Sequence, residues 1–416
     1  MRIPQELVDE IISEFDLSKG YDPGSAEILK SCALVSRSFA TRCQARLFAR
    51  ISVRDYGRDI GPRDAILAHT ISAKLSKRLS ALLSRSPHLA NYIRILDLCY
   101  NSGMREASFI PQILSAVTAL TSLTLANRHD FGGFFPVSSF AVGAFSLPSL
   151  RRVELSGYQF RNVFDLEFFL SKAKCLKGLT LREIDFDDFQ PVDIESFPPW
   201  ESTLGEMKLE TLCLDKLHRT VVTSMLHSFT KVDMRHLKSL CIRNSPLTEF
   251  LRANSRSLHK LKIGSSPGST FELSDGDVPD PQILAGGNCL NSIDFEADDL
   301  NSILTFVPLL GDLHNLTTLK TIRITLQHKL SRAHTSKNAE WDRLDQLLES
   351  LPTGIRVDIY AAFDRHATVM DAPDVDAIKN RLPMLGNRGA LHVYQNPRAH
   401  IYLNMLGGNG RIIMGR

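Results

Sequence analysis

The sequence predicts a solenoid of the α/β or α+β class, in which three short N-terminal helices precede an irregular arc of repeats with one short parallel strand each. Three observations lead to this prediction. Apolar residues recur at helical spacing within residues 1–53, and a second apolar pattern recurs nine times between residues 91 and 326. The chain of 416 residues is 43% apolar and 23% charged, which is typical of a globular protein with a large core.

The first helix is predicted from a simple periodicity. Leu7, Ile11 and Phe15 recur at every fourth position, which places them on one face of a helix. A polar turn over residues 18–25 separates this helix from a second apolar stretch at residues 28–35. The chain therefore begins with two helical segments joined by a turn.

A third helix is predicted directly after Ser36, whose hydroxyl suits the N-cap position. Phe39, Cys43 and Leu47 share one face of this helix. Three helices this short shield only a modest fraction of their apolar surface among themselves. We therefore expect part of that surface to meet a partner, although a plain helical cap on the domain that follows is the alternative.

Two groups of residues in this region follow a known pattern. They are Ile3, Pro4, Glu6, Leu7 and Ile11 in the first half, and Cys32, Leu34, Val35, Ser36, Arg37, Phe39, Leu47, Phe48 and Ile51 in the second. Together they resemble the F-box motif, although Phe39 stands where many members of that family carry Trp. In that family the motif binds the Skp adaptor of a cullin-based ubiquitin ligase. The resemblance thus implies an adaptor-binding unit over residues 1–53, with the contact residues Ile3, Pro4, Leu7, Ile11, Leu34, Val35 and Phe39.

Residues 54–90 are predicted to form a helical linker and the N-terminal cap of the repeats. A polar loop comes first, and a helix follows that carries Leu67, Ile71, Leu75 and Leu79 on one side.

Residues 91–326 repeat a pattern of three apolar positions, the second three residues after the first and the third two residues later. Its nine copies begin at Ile93, Leu120, Leu150, Leu176, Leu209, Leu237, Leu258, Leu290 and Leu319. This is the short-strand pattern of a leucine-rich repeat, in which each unit contributes one strand to a curved parallel sheet. No unit buries its own strand, so the units must stack. An ordinary α/β domain with alternating strands and helices is the alternative.

The C-terminal region departs from this pattern. A polar linker is predicted over residues 327–340, terminal repeats or a cap over residues 341–395, and a tail over residues 396–416. The elements predicted within the cap are a helix at 341–351, a strand at 355–360, a helix at 375–382 and a strand at 391–394. Because a solenoid needs its end shielded, we expect these elements to close the stack.

Composition narrows the class of protein. The seven cysteines contain no C-x-x-C pair, which argues against a zinc ribbon or a dithiol redox motif, and their scatter suits a reducing compartment. Cys213 and Cys241 occupy the same position in neighbouring repeats. Close thiols can oxidise, but in a reducing compartment we expect two small side chains with no further role. The N-terminus lacks the apolar core of a signal peptide, and no apolar run has the length of a membrane span. With a net charge of only +3, we predict a cytoplasmic or nuclear protein that binds neither nucleic acid nor membranes.

One string has a catalytic form, the G-x-S-x-G sequence of residues 264–268. A nucleophile elbow requires a helix directly after its serine, whereas Pro267 and a polar, acidic loop follow here. The thirteen histidines form no H-E-x-x-H motif that would indicate a metal site. We therefore predict a chain without catalytic residues, metal or cofactor.

A binding surface is predicted on the inner side of the arc. Side chains that flank the last two apolar positions of each strand point away from the core. Neighbouring strands lie about 4.8 Å apart, so we expect Arg243, Lys260 and Lys262 to form one positive patch. Asp294 and Glu296 would border it. Such a patch suits an acidic or phosphorylated segment of a target, unless these side chains are polar only because the surface is wet.

The resemblance and the repeats together imply a noncatalytic substrate-recognition subunit of a cullin-based ubiquitin ligase of the SCF type. The first unit would bind the Skp adaptor and through it the cullin, and the arc would bind a target protein that the sequence does not identify. Ubiquitin transfer would be accelerated because the complex raises the effective concentration of target lysines. The alternative is an interaction scaffold that uses the F-box and repeats for a purpose other than degradation.

Overall fold

The structure, a computed structural model, describes part of the chain. The described residues are 5–15, 22–53, 62–100, 109–127, 133–134, 143–186, 207–217, 221–222, 236–243, 251, 256–264, 289–297, 300–305, 318–326, 338–361 and 375–395. Ile3, Pro4, nearly all of the predicted linker at 327–340 and the predicted tail lie outside this set. The chain divides into two compact units. The first unit consists of Met1–Leu179 and Ile184–Met207, and the second unit consists of Thr180–Glu183 and Lys208–Arg416. None of the described helices combines the length and apolar character that a membrane span requires.

The first unit opens with three helices: α1 (Gln5–Ser13), α2 (Pro23–Ala33) and α3 (Arg37–Leu47). Asp22 caps α2 by accepting hydrogen bonds from the backbone N–H and the hydroxyl of Ser25, and these bonds lower the pKa of the Asp22 carboxyl. Ser36 caps α3, where its hydroxyl accepts from the Phe39 N–H at 3.4 Å. The predicted cap at Ser36 is thus confirmed.

These three helices, which we call the helical head, have a core of their own. Its buried members are Val8, Ile12, Ala26, Leu29, Phe39 and Cys43. Helix α1 carries two apolar rows side by side, and only the row of Val8 and Ile12 faces the core. The row of Leu7 and Ile11 therefore points outward, which periodicity alone does not decide.

The parallel sheet of the first unit has one strand per repeat, in chain order. Its strands are β1 (Arg50–Val53), β2 (Ile95–Tyr100), β3 (Ser122–Asn127), β4 (Arg152–Ser156) and the first two residues of β5 (Gly178–Arg182). Strand β1 corrects the predicted boundary at residue 53. Ile51 pairs with Leu96 of β2, and the Ala49 carbonyl accepts from the Arg94 and Ile95 amides at 2.9 Å. Residues 50–53 thus belong to the sheet and not to the helical head.

The connections of the first unit include further helices. They are α4 (Pro62–Arg85), a 3-10 helix (Pro87–Tyr92), α5 (Phe109–Ala116) and α6 (Val163–Lys172). Helix α4 contains the helix predicted in the linker, and its Leu79 and Leu83 are buried. Three very short strands form a second parallel sheet: Gly133–Phe134, Tyr158–Phe160 and Asp185–Phe186.

The second unit contains the end of β5 and seven further parallel strands. They are β6 (Thr211–Asp215), β7 (Ser239–Arg243), β8 (Lys260–Gly264), β9 (Ser292–Ala297), β10 (Thr321–Leu326), β11 (Arg356–Ala361) and β12 (Leu391–Gln395). Its described helices are α7 (Leu300–Thr305), α8 (Asn338–Glu349), α9 (Val375–Asn380) and α10 (Pro383–Asn387). The predicted C-terminal elements are all present, and β11 and β12 continue the sheet as terminal repeats would.

The apolar pattern coincides with the core in both units. Each of its positions in the nine predicted copies is at most 5% exposed. The pattern also stays in register from strand to strand, as Leu240 opposite Leu261 and Leu261 opposite Ile293 illustrate. One parallel strand per repeat with a shared apolar row is a leucine-rich-repeat-like fold.

Candidate functional site

The helical head exposes an unusual amount of apolar surface. Its exposed large apolar side chains are Leu7 (49%), Ile11 (47%), Ile28 (45%), Leu34 (88%) and Val35 (68%). Elsewhere in the described part of the chain, the one other such side chain is Met384, at 38%. Single exposed apolar residues are ordinary, whereas a concentration in one short unit indicates a binding surface. We call these five residues the apolar face of the head.

Leu34 and Val35 are exposed because of the turn that holds them. The Leu34 N–H donates to the Ser31 carbonyl and the Val35 N–H to the Cys32 carbonyl, both at 3.1 Å. These bonds close the last turn of α2, and the cap at Ser36 starts α3 at the next residue. The backbone is thus fixed on both sides, while the two side chains lie outside the core-facing rows of both helices.

A charged contact fixes α1 against α3. The Arg42 guanidinium meets both carboxylate oxygens of Asp9, at 2.9 Å and 3.0 Å. Such a two-point pair sets orientation more than it stabilises, because both side chains are well exposed. The outward direction of Leu7 and Ile11 on α1 is therefore defined by this pair together with the buried row.

The predicted adaptor contacts divide into two groups. Leu7, Ile11, Leu34 and Val35 lie on the apolar face of the head. Phe39, by contrast, is 8% exposed and packs in the head's core, so the structure gives it a role in holding the three helices together. Ile28 was not among the predicted contacts. Ile28 directly precedes the buried Leu29 on α2, and adjacent residues of a helix point in different directions. An apolar residue beside a core position is thus the signal that could have revealed Ile28.

The residues of the predicted positive patch lie on neighbouring strands in the register of the apolar pattern. Lys262 pairs with Cys241 on one side and with Asp294 on the other. Gly264 is the residue opposite both Arg243 and Glu296, and Lys260 lies two residues before Lys262, opposite Ser239 and Ser292. Asp294 and Glu296 thus lie on the strand beside Lys260 and Lys262, and their carboxylates are ion-paired with the predicted cations.

Glu296 is the centre of one ion-paired group. Its Oε2 lies 2.6 Å from Nη2 and 3.1 Å from Nε of Arg243, and 2.6 Å from Nζ of Lys262. Arg243 stands two strands away from Glu296, and it reaches across because Gly264 has no side chain. A Cβ at Gly264 would lie 2.3 Å from the Glu296 carbonyl oxygen.

Asp294 and Asp215 are the centres of two further groups. Asp294 lies 2.9 Å from the Lys260 amine and 3.6 Å from the Arg323 guanidinium. Asp215 lies 2.9 Å from the Arg182 guanidinium and 4.0 Å from that of Arg243. We call the eight residues of these three groups the ion-pair ladder.

The ladder is a partly neutralised surface and not a plain positive patch. Asp215, Asp294 and Glu296 are buried, and buried carboxylates remain charged only when they are paired. Burial by itself lowers the pKa of Arg243, but the charge and hydrogen bond of Glu296 together with the neighbouring Cys241 and Cys213 raise it, so the guanidinium stays charged. Five cations face three carboxylates, which leaves the ladder with an excess of positive charge.

An aromatic group continues the same surface at the C-terminal strands. The rings of Tyr360 and Tyr394 stack with centroids 5.0 Å apart, and the Arg323 guanidinium lies 5.3 Å from the Tyr360 centroid. Arg356 donates to Asp358 at 2.6 Å and to the Tyr394 hydroxyl at 2.5 Å. The sequence predicted these strands but assigned the tyrosines no role, because their pairing depends on the register.

The remaining sequence motifs concern metal sites and catalysis. Within them, no group of three or more His, Cys, Asp and Glu side chains is arranged to hold a metal ion. Of the G-x-S-x-G string, only Gly264 is described. It ends β8, where the close approach of Glu296 accounts for the glycine.

Gly264→Ala is expected to lower the free energy of unfolding of the second unit by about 1–3 kcal/mol, the usual cost of overpacking. The new methyl group meets backbone, so β8 and β9 must separate. Urea denaturation of the full chain measures the change. Gly386→Ala in α10 is the matched control, because a Cβ there has open space, and we expect no loss or a gain of up to about 1 kcal/mol. Equal stability of the two variants would contradict the close approach of Gly264 to the Glu296 backbone.

Comparison with known proteins finds similarity among solved structures. No protein-family model matches the sequence, and no curated protein matches it. Among solved structures the chain is similar to an internalin from Listeria monocytogenes, at 13% identity and a TM-score of 0.23, over 77% of this chain and 95% of that one. The leucine-rich-repeat-like assignment rests on the strand register and burial described above and not on this likeness.

Proposed function

We propose that the chain is the substrate-recognition subunit of a cullin-based ubiquitin ligase, which binds the Skp adaptor through its helical head. The observation that carries this proposal is the apolar face of the head, above all Leu34 at 88% exposure and Val35 at 68%. These residues belong to the stretch that resembles the F-box motif. The chain itself would contribute binding and positioning, with no catalytic group.

The energetics favour a bound state of this face. Covering a fully exposed leucine or valine side chain contributes about 1.5–3 kcal/mol. Five side chains of this kind together represent several kcal/mol that the isolated head does not use. A partner with a complementary apolar surface would recover that free energy.

The motif residues divide in a way that suits a docking unit. Phe39 lies in the head's core, and Cys32 and Leu47 pack against it. Leu34 and Val35 remain outside. One set of residues thus builds a small fold, and the other set presents an apolar face that this fold does not cover.

The target would bind to the second unit, on the sheet surface that carries the ion-pair ladder and the stacked tyrosines. The excess positive charge there favours an acidic segment, as the sequence led us to expect. Its cations are already paired, however, so Arg243 and Lys262 have a structural role besides any contact with a target. Lys260, whose side chain is 42% exposed, is the most accessible of the predicted contacts.

Co-purification tests the proposal. The full chain is expressed with the Skp adaptor and a cullin, and the expected result is one complex that contains all three proteins. Supplied with ATP, ubiquitin and the activating, conjugating and remaining ligase components, this complex should ubiquitinate captured targets. A complex with the adaptor that lacks ubiquitination of any captured protein would instead support the interaction scaffold. Failure to bind the adaptor would refute the ligase subunit and also a scaffold that uses the helical head to bind the adaptor.

A further inference from the structure

Two cysteines face each other across neighbouring strands of the second unit. Cys213 of β6 pairs directly with Cys241 of β7, and both are partly buried. Neighbouring strands lie about 4.8 Å apart, which is within the range of about 4.4–6.8 Å that Cα atoms span in disulfides. Their side chains leave the sheet on the same face, and the two thiols are hydrogen bonded to each other.

The surroundings shift the pKa values of the two thiols in opposite directions. The hydrogen bond from Cys213 lowers the pKa of Cys241, and although burial opposes this, the positive charges of Arg243 and Lys262 act in the same direction. The nearby carboxylate that opposes ionisation of Cys241 is Glu296. The pKa of Cys213 is raised, first by the same hydrogen bond and then by burial. Thiolate is the reactive form of cysteine, so Cys241 is the more nucleophilic sulfur.

We propose that Cys213 and Cys241 form a dithiol that a hydroperoxide oxidises reversibly to a disulfide, with Cys241 as the attacking sulfur and Cys213 as the resolving one. This proposal is independent of adaptor binding. It also revises the expectation that the two residues are merely small side chains, because that expectation did not include the neighbouring cations.

The chemistry balances in two steps. The Cys241 thiolate attacks one peroxide oxygen, the O–O bond breaks, and the leaving hydroxide takes a proton to become water, which leaves a sulfenic acid on Cys241. The Cys213 sulfur then attacks the Cys241 sulfur, and the sulfenic oxygen leaves as a second water molecule with the Cys213 proton. Two thiols are oxidised and one peroxide is reduced. The parallel direction of the two Cβ bonds does not favour a relaxed disulfide, so a dithiol reductant should reverse the reaction readily.

Peptide mapping tests the proposal on the full chain. Trypsin releases Cys213 in residues 209–216 and Cys241 in residues 239–243, since Lys208 and Lys238 precede them. The reduced protein is treated with hydrogen peroxide, alkylated and digested. We expect the two peptides to appear joined by a disulfide, and to separate again after treatment with dithiothreitol.

Variants assign the two roles. In Cys213→Ser the disulfide cannot form, so the sulfenic acid on Cys241 persists and reacts with dimedone. We expect this adduct to form several times faster than one on Cys289, the exposed cysteine. Cys289→Ser is the matched control and should form the Cys213–Cys241 disulfide at the unchanged rate. The proposal is overturned if the joined peptide is absent after peroxide treatment, or if Cys289 reacts faster than Cys241.

Discussion

Replacement of Leu34 and Val35 by aspartate is expected to weaken binding of the Skp adaptor by at least about a hundredfold. The two side chains are the most exposed apolar residues of the head, and their burial in a complex would contribute about 3–6 kcal/mol together. A loss of about 3 kcal/mol already corresponds to a factor of more than one hundred in Kd. The introduced carboxylates would in addition need to be desolvated. Isothermal titration calorimetry of the full chain with purified adaptor measures the effect.

The controls for this prediction separate docking from folding. Because both side chains lie outside the core of the helical head, the double variant should melt within a few degrees of the parent chain. Met384→Asp changes the other exposed large apolar side chain of the described residues, and it should bind the adaptor with unchanged affinity. Full affinity in the double variant would show that the apolar face is not part of the docking surface.

Arg243→Met is expected to lower the free energy of unfolding by about 3–5 kcal/mol, which is the usual cost of removing one partner of a buried ion pair. Methionine keeps much of the length of the arginine chain but leaves Glu296 and Asp215 each with one cation fewer. Both carboxylates are buried, so their charge would be less well compensated. Chemical denaturation of the full chain measures the loss.

Two comparisons make this second prediction specific. Lys238→Met removes a cation from an exposed pair with Glu210 and should change stability by less than about 1 kcal/mol. Adding Glu296→Gln to Arg243→Met should restore part of the loss, because the less well compensated buried charge is then absent. Additive losses in the double variant would show that Arg243 and Glu296 do not stabilise each other.

Much of the fold follows from the sequence because it depends on local periodicity. The apolar rows of the repeats predict strands that are buried on one side, and the last two positions of all nine predicted copies lie in strands. The cap at Ser36 and the helix after it follow equally from local chemistry. Strand β1 escaped prediction because residues 50–53 carry only part of the repeat pattern and directly follow a helix.

The surface could be predicted less well because it depends on where long side chains reach. The apolar pattern places Gly264 opposite Arg243 and Glu296, as the sheet does. It does not show that Arg243 reaches past Gly264 to Glu296, which converts a predicted positive patch into paired charges. The choice between the two apolar rows of α1 likewise depended on packing, since Leu7 and Val8 differ little in character. Only contacts with α2 and α3 decide which row is buried.

Hydrogen exchange of the full chain, with and without the Skp adaptor, tests the central claim most directly. If the helical head is the docking unit, the adaptor should slow amide exchange in α1 and in the turn that carries Leu34 and Val35. Exchange in the strands of the second unit should stay unchanged. Unaltered exchange in the head, or protection confined to the repeat strands, would show that the exposed apolar residues are not an adaptor-binding face.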